Sequence, residues 1–291
     1  MKRKALVMAV VTTFLWSGSY ILNKLAFQGG IGPLTLSGLR YLIASLLLMG
    51  LSGRESREDR KALPLWMIAL LGLTGYAAAQ GLQYVGQSFL TPTQSSLSLS
   101  VGNTVCVMLV DMLWLRENQT RWDFAKLLFL VAGIAAFYYP WDEAGVSVVG
   151  LIFMALSSVG YALQMTLNRH LLTSKRVKPR ALVAFPMLAG ALVLLTAGLL
   201  IEGMPVLTGR LMLILAYLSA VSGALGFTLW TRSQSALTAF ESSGINNLML
   251  VEIALLDFFV FHRAFSALQL AAILVVFASI VSIQARRAKK A

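Results

Sequence analysis

Three carboxylates stand inside apolar segments of this chain, where a charge is costly. Asp257 and Glu252 share the apolar segment 245–261, and Asp111 lies in a second apolar segment, 101–115. A carboxylate at the centre of a bilayer costs from roughly 2.5 to more than 10 kcal/mol, so such residues usually serve a function. We expect these acids to exchange a proton or to balance a cationic ligand. The alternative is a structural role in a buried ion pair or hydrogen bond.

Aromatic and amide side chains in apolar segments form a second group of candidates. Aromatic faces bind apolar groups and cations, and amides orient a ligand through hydrogen bonds. The predicted binding residues are Trp16, Tyr20, Tyr76, Gln80, Asn103, Tyr161, Gln164, Trp230, Asn246 and Glu252. Two alternatives stay open, because Trp and Tyr also gather at membrane interfaces and amides also bond one helix to another.

The sequence shows no pattern for metal, nucleotide or covalent chemistry. His170 and His262 are isolated, and Cys106 is the single cysteine. A Walker motif is absent, which argues against direct coupling to ATP within this chain. We therefore expect no metal, no cofactor and no enzymatic activity.

The elements that must position these residues are membrane-spanning helices. Of the 291 residues, 58% are hydrophobic and 12% are charged, whereas soluble domains carry about 25% charged residues. The apolar residues fall in runs of roughly 20, the length that a helix needs to cross a bilayer. The sequence predicts an all-α integral membrane protein with ten transmembrane helices, at 6–27, 34–51, 65–86, 93–115, 124–139, 146–167, 181–201, 211–231, 239–261 and 264–285.

Basic residues set the expected orientation. If the N-terminus lies inside, 20 of the 24 lysines and arginines fall on inner segments or inner span ends. The positive-inside rule then predicts that both termini are cytoplasmic. The same asymmetry, together with anionic lipid, explains the net charge of +12 without a nucleic-acid partner.

The chain also carries signs of an internal duplication. An offset of 146 positions places Asp111 on Asp257. The same offset places Val105, Leu109, Leu128, Ala132 and Ile134 on Val251, Leu255, Leu274, Ala278 and Ile280. We expect two five-helix repeats, 1–145 and 146–291, forming one transport domain. Because five is odd, the second repeat is inverted, and inverted repeats place a binding site at their interface.

Several short motifs resemble those of the EamA-type transporters of the drug/metabolite transporter superfamily. The motifs are LWSGSY at 15–20, Pro33, LRY at 39–41, TPTQSS at 91–96, LRE at 115–117, LW at 229–230 and ALTA at 236–239. The resemblance covers essentially the whole chain. It implies a ten-helix carrier of small organic molecules, with a cavity lined by spans one, three, four, six, eight and nine. The chain departs from the family pattern at 102–104 and 248–250, where family members usually have proline.

The sequence therefore predicts a multi-pass secondary transporter of the inner membrane that works by alternating access. The expected substrate is an amino acid, an amine or an aromatic compound, and the expected direction is export, with proton coupling left open. The alternatives are an organic-cation or drug transporter that uses the intramembrane acids, and a membrane scaffold or receptor. The expected partners are the substrate, the lipid bilayer and protons, and the expected assembly is a monomer or weak dimer.

Overall fold

A computed structural model describes residues 2–61, 63–113, 121–139, 145–173, 182–234, 237 and 239–290. These residues form ten helices, and they contain no strand. The helices are α1 (Lys2–Gln28), α2 (Pro33–Lys61), α3 (Leu65–Phe89), α4 (Pro92–Leu113), α5 (Arg121–Phe137), α6 (Val148–Thr173), α7 (Ala184–Ile201), α8 (209–234), α9 (Ala239–Phe261) and α10 (Ala267–Lys290).

Six helices are long and apolar enough in their described parts to cross a membrane. They are α1, α2, α3, α6, α7 and α8. Large apolar side chains such as Leu200 (82% exposed) and Leu213 (75% exposed) cover outer faces of this bundle. In water such surfaces would be unfavourable, whereas lipid tails accept them. The protein is therefore a multi-pass membrane protein, while ten crossings and their orientation stay predictions.

One expected span boundary is wrong for a physical reason. The predicted end of the second span agrees with the apolar segment, which ends at Leu51, and α2 continues beyond it to Lys61 through charged residues that are good helix formers. The tenth was expected to begin at residue 264, but α10 begins at Ala267. Ser266 and Gln269 bond each other's backbone N–H groups there, which is a capping box that fixes the start of the helix.

Helices α3 and α8 contain π-helical segments at matching positions in the two halves. The first runs over Gly72–Gly81 and the second over Tyr217–Leu225. Adding the repeat offset of 146 to the first segment brings it to within a residue or two of the second. Extended π-helical turns are rare and are often found at functional sites.

Helix pairing follows the same relation between the halves. Helix α2 packs on α7 and α5 packs on α10, so each helix meets its own counterpart. The contact of α1 with α9 is matched by that of α6 with α4, and the contact of α1 with α8 by that of α6 with α3. This is the pairing that a twofold relation between two repeats produces.

Glycines allow the closest approaches between the halves. A Cβ atom added at Gly38 of α2 would lie 2.6 Å from the backbone nitrogen of Leu195 of α7. One added at Gly72 of α3 would lie 2.8 Å from the carbonyl oxygen of Pro186 of α7. Small residues at helix crossings let backbones meet, which is how membrane helices gain packing energy.

Candidate functional site

Glu252 of α9 is held against α1 by two hydroxyl groups. Ser17 Oγ donates a hydrogen bond of 2.7 Å to Glu252 Oε2, and Thr13 Oγ1 lies 3.1 Å from Glu252 Oε1. Thr13 and Ser17 are four residues apart and therefore lie on one face of α1. The Glu252 side chain is half-buried. Its immediate setting is thus polar but uncharged.

Trp16, on the same turn of α1, joins the α8 side of the site. Its indole Nε1 donates to the Ser222 carbonyl oxygen at 3.0 Å. Its ring centroid lies 5.4 Å from that of Phe227 and 5.3 Å from that of Trp230. Gly226 makes room for the indole, because an added Cβ would lie 2.9 Å from Trp16 Nε1. Ser222 belongs to the π-helical segment of α8, which thus presents a carbonyl to a neighbouring helix.

A chain of tyrosines and glutamines crosses the bundle beside this aromatic group. Tyr41 of α2 donates to Gln80 Oε1 at 2.6 Å, and Gln80 Nε2 donates to the Tyr161 hydroxyl of α6. Tyr161 in turn donates to Gln83 Oε1 at 3.2 Å, and Gln83 Nε2 donates to the Tyr20 hydroxyl at 3.0 Å. The chain therefore links α1, α2, α3 and α6 through their polar side chains.

Arg40 of α2 lies next to this network and is almost fully buried, with 6% of its surface exposed. Its guanidinium donates to the Tyr84 hydroxyl and, at 3.0 Å, to Ser222 Oγ. Ser222 Oγ is also 2.5 Å from Ser19 Oγ of α1. The guanidinium lies over the Tyr41 ring, 5.2 Å from its centroid. Sequence reasoning placed Arg40 outside the binding site, since no local pattern shows that tyrosines from α2 and α3 surround it.

Most of the predicted binding residues lie in the interior yet retain accessible surface. The half-buried ones are Trp16, Tyr20, Gln80, Asn103, Tyr161, Gln164, Trp230 and Glu252. Several of them bond across helices, so their polar groups meet inside the bundle. Tyr76 is buried and packs its ring against that of Tyr41, at a centroid distance of 5.5 Å, and Asn246 is exposed.

Two of the predicted amides lie outside the chain of tyrosines and glutamines. Gln164 fills the room above Gly75, where an added Cβ would lie 1.9 Å from Gln164 Nε2. Asn103 has a buried Oδ1 without a hydrogen-bond partner among the described residues. A buried amide oxygen without a donor is costly, so Asn103 is a place where a ligand could supply one.

Asp257 binds the start of α4. Its Oδ2 accepts from the Thr93 backbone N–H at 3.1 Å and from Thr93 Oγ1 at 2.6 Å. The side chain is fully buried, at 0% exposure. A carboxylate at a helix N-terminus is stabilised by the unpaired N–H groups and the helix dipole. The predicted coupling role of Asp257 stays a prediction, and the side chain of Asp111 lies outside the described residues.

Glu202 makes the equivalent contact at the start of α2 and was missed in the sequence. Its carboxylate accepts from the Leu34 and Thr35 backbone N–H groups, each at 2.8 Å, and from Thr35 Oγ1 at 2.7 Å. Gly203 follows with a φ of +79°, which turns the chain out of α7 directly after the acid. We call the end of the bundle where α2 and α4 begin the Pro33 end.

Lys24 also binds at the Pro33 end. Its Nζ donates to the carbonyl oxygens of Ser88, at 3.1 Å, and Leu90, at 2.9 Å, so it closes the last turn of α3. Asn23 and Gln87 bond each other beside it at 2.7 Å. These bonds tie α1 to the end of α3 at the Pro33 end. Across the described residues, no group of histidine, cysteine and acidic side chains is arranged to hold a metal ion.

Comparisons with known proteins agree with this architecture. A sequence model of the EamA-like transporter family matches the chain twice, over residues 3–139 and 148–284. An "Uncharacterized transporter YvbV" from Bacillus subtilis (strain 168) is 27% identical over 199 residues. That match covers 67% of this chain and 63% of the relative, so the chain spans less than two thirds of that protein's length.

A solved crystal structure shares the fold. It superposes with a TM-score of 0.70 at 17% sequence identity, covering 100% of this chain and 99% of the other. The two family matches fall on the two sets of helices that the packing relates to each other. The chain belongs to the EamA-like transporter family, a part of the drug/metabolite transporter superfamily, and carries two copies of the family's repeat.

Proposed function

We propose that this protein is a secondary transporter that carries a small organic metabolite across the membrane by alternating access. The observation that carries the proposal is the convergence of polar and aromatic side chains from both repeats in the interior of the bundle. Helices α1 and α3 of the first repeat contribute Trp16 and Gln80, and α6 and α9 of the second contribute Tyr161 and Glu252. A site shared by two repeats can open on either side when the repeats move against each other.

The proposal includes ten crossings in two inverted repeats, with both termini in the cytoplasm of a bacterial-type cell. In that orientation the Pro33 end faces outward. Its buried contacts, such as Asp257 with Thr93 and Glu202 with Thr35, then close the outer side. In an exporter of this orientation, the site would then receive its substrate from the cytoplasmic side.

The proposed substrate classes follow from the side chains that meet in the interior of the bundle. Trp16, Phe227 and Trp230 offer apolar and π surfaces, and Glu252 offers an acceptor or a negative charge. This combination suits an amino acid, an amine or an aromatic compound. The alternative is an organic-cation or drug transporter, which the aromatic group beside Glu252 also supports.

Proton coupling through Glu252 is supported by the hydrogen bonds of Thr13. The Thr13 hydroxyl donates to the Val10 carbonyl oxygen at 2.8 Å, and a hydroxyl has only one proton to donate. When Glu252 is ionised, the Thr13 hydroxyl can turn from Val10 and donate to Glu252 Oε1 at 3.1 Å. When Glu252 carries a proton, Thr13 can keep its bond to Val10 and accept from Glu252, so the surroundings of Glu252 accommodate both protonation states.

Flux into proteoliposomes tests the proposal. Purified protein is reconstituted and loaded with unlabelled amino acid, amine or aromatic compound, and the exchange of labelled compound is followed with and without a pH gradient. Saturable exchange of at least one class supports a carrier. Exchange no faster than in protein-free vesicles for every class, or channel-like conductance in a planar bilayer, contradicts it.

A further inference from the structure

Arg40 is a buried positive charge for which the described residues provide no carboxylate partner. Its guanidinium donates to the Tyr84 hydroxyl and to Ser222 Oγ, and it lies over the rings of Tyr41 and Tyr84. A charge inside a membrane protein usually has a counter-charge or faces a cavity. Glu252 bonds Ser17 and Thr13 instead, and Asp257 bonds Thr93.

The guanidinium also has unused donors. It has five N–H groups, and in the described structure one bonds Tyr84 and one bonds Ser222. The Nε–H is buried and has no acceptor among the described residues. Nε and a terminal nitrogen form a planar fork that matches the two oxygens of a carboxylate. The residue therefore has both the charge and the free donors that an anionic group needs.

The hydrogen-bonded chain of tyrosines and glutamines lies next to this charge. Tyr41 and Tyr84 both contact Arg40. Tyr41 donates to Gln80 of α3, and Tyr84 directly follows Gln83 in the same helix. Gln80 and Gln83 in turn bond the half-buried Tyr161. We call Gln80, Gln83 and Tyr161 the polar wall. Because protein and not water lies between these side chains and Arg40, the charge of Arg40 acts on the polar wall with little screening. The polar wall therefore has hydroxyl and amide donors close to a positive charge.

We propose that the polar wall binds the carboxylate of the substrate, with Arg40 as its counter-charge. The proposal rests on the proposed transport function and narrows its substrate class to compounds that carry a carboxylate. A single guanidinium balances a monoanion, which favours a carboxylate over the dianion of a phosphate ester. Arg40 thereby becomes a specificity-determining residue in the interior.

Matched ligands test the inference on the wild-type protein. Thermal shift in detergent is measured with 3-phenylpropionate, phenethylamine, phenylalanine and phenyl phosphate, and with the aliphatic series 4-methylpentanoate, isopentylamine and leucine. We expect stabilisation by the carboxylates of at least one series and a smaller effect of the amine of that series. If no carboxylate stabilises the protein, or if an amine or phenyl phosphate binds more tightly than its carboxylate counterpart, the inference is wrong.

Variants then assign the effect to Arg40. Arg40→Gln should weaken carboxylate binding at least about tenfold, whereas Arg40→Lys, which keeps the charge, should weaken it less. Tyr84→Phe, which removes one bond to the guanidinium and keeps the ring, serves if Arg40→Gln fails to fold, and it should also weaken carboxylate binding. Unchanged carboxylate affinity in a folded Arg40→Gln variant would contradict the inference.

The assay separates this inference from the proposed transport function. Binding in detergent requires no movement across a membrane. If carboxylate binding depends on Arg40 but no flux occurs in vesicles, the carboxylate subsite is supported and the transport proposal is contradicted. If amines are transported and their flux does not depend on Arg40, transport is supported and the carboxylate subsite is contradicted.

Discussion

Ser17 Oγ donates a 2.7 Å hydrogen bond to the carboxyl group of Glu252, a residue 235 positions later in the chain. The bond joins the first helix of one repeat to the fourth helix of the other. It places the Glu252 carboxyl group beside Ser17, the residue that follows Trp16 on α1. Any movement that separates α1 from α9 must change this contact.

Replacement of Glu252 by glutamine tests its proposed role in proton exchange. Glutamine keeps the size of the side chain and can accept the Ser17 bond, but it cannot ionise. We expect Glu252→Gln to fold normally and to exchange substrate at a rate that no longer depends on pH. Flux in proteoliposomes at several pH values measures this, with Ser17→Ala as a variant that removes only the donor. An unchanged pH profile in Glu252→Gln would make the acid structural.

Tyr161 tests the hydrogen-bonded chain through the interior. Tyr161→Phe removes a hydroxyl that accepts from Gln80 and donates to Gln83, and unpaired buried amide groups cost about 1–3 kcal/mol. We expect a lower melting temperature and weaker substrate binding. Tyr139→Phe is the matched control, because Tyr139 is exposed. Equal behaviour of the two variants would show that the chain contributes nothing.

The crossing of α2 and α7 depends on Gly38. A Cβ at this position would lie 2.6 Å from the backbone of Leu195, so Gly38→Ala forces the helices apart, at a cost of about 1–3 kcal/mol. Gly50→Ala, on the same helix, meets no atom within 4 Å and should leave stability unchanged or slightly higher. Thermal unfolding in detergent compares the two. A Gly38→Ala variant as stable as Gly50→Ala would refute the close crossing.

Asp257 is expected to act chiefly through the start of α4. Asp257→Ala leaves the Thr93 N–H and hydroxyl without their acceptor, and we expect a loss of about 1–3 kcal/mol in stability. Asp257→Asn retains an acceptor oxygen and should lose less. Thermal unfolding of the two variants, followed by flux at several pH values, measures both effects. A change in pH dependence without a change in stability would favour the coupling role instead.

Apolar segment length and charge placement were enough to predict the helices and their membrane class. They were not enough for the start of α10, because a helix start depends on side-chain caps such as that of Ser266 and not on hydropathy. The π-helical segments of α3 and α8 also escaped prediction. A sequence read with a regular period of 3.6 residues per turn carries no signal for a segment that winds differently.

The candidate site was predicted only in part, because some of its residues are recognisable only through partners far away in the chain. Trp16 and Glu252 stand out by residue type, since aromatic and acidic residues in apolar segments are informative on their own. Arg40 and Glu202 depend on partners far away in the chain: Glu202 binds Thr35 across 167 positions, and Arg40 binds Ser222 across 182. Only the packing of the two repeats brings such residues together.

The contacts of Asp257 and Glu202 at the Pro33 end have a consequence for the resting population of conformers. Both acids come from the second repeat, and both bind the first turn of a helix in the first repeat, through five hydrogen bonds in total. A contact that exists in one state alone shifts the equilibrium towards that state by its full differential free energy. In the proposed alternating-access cycle, these bonds bias the unloaded protein towards closure at the Pro33 end, and a substrate must supply the difference before that end opens.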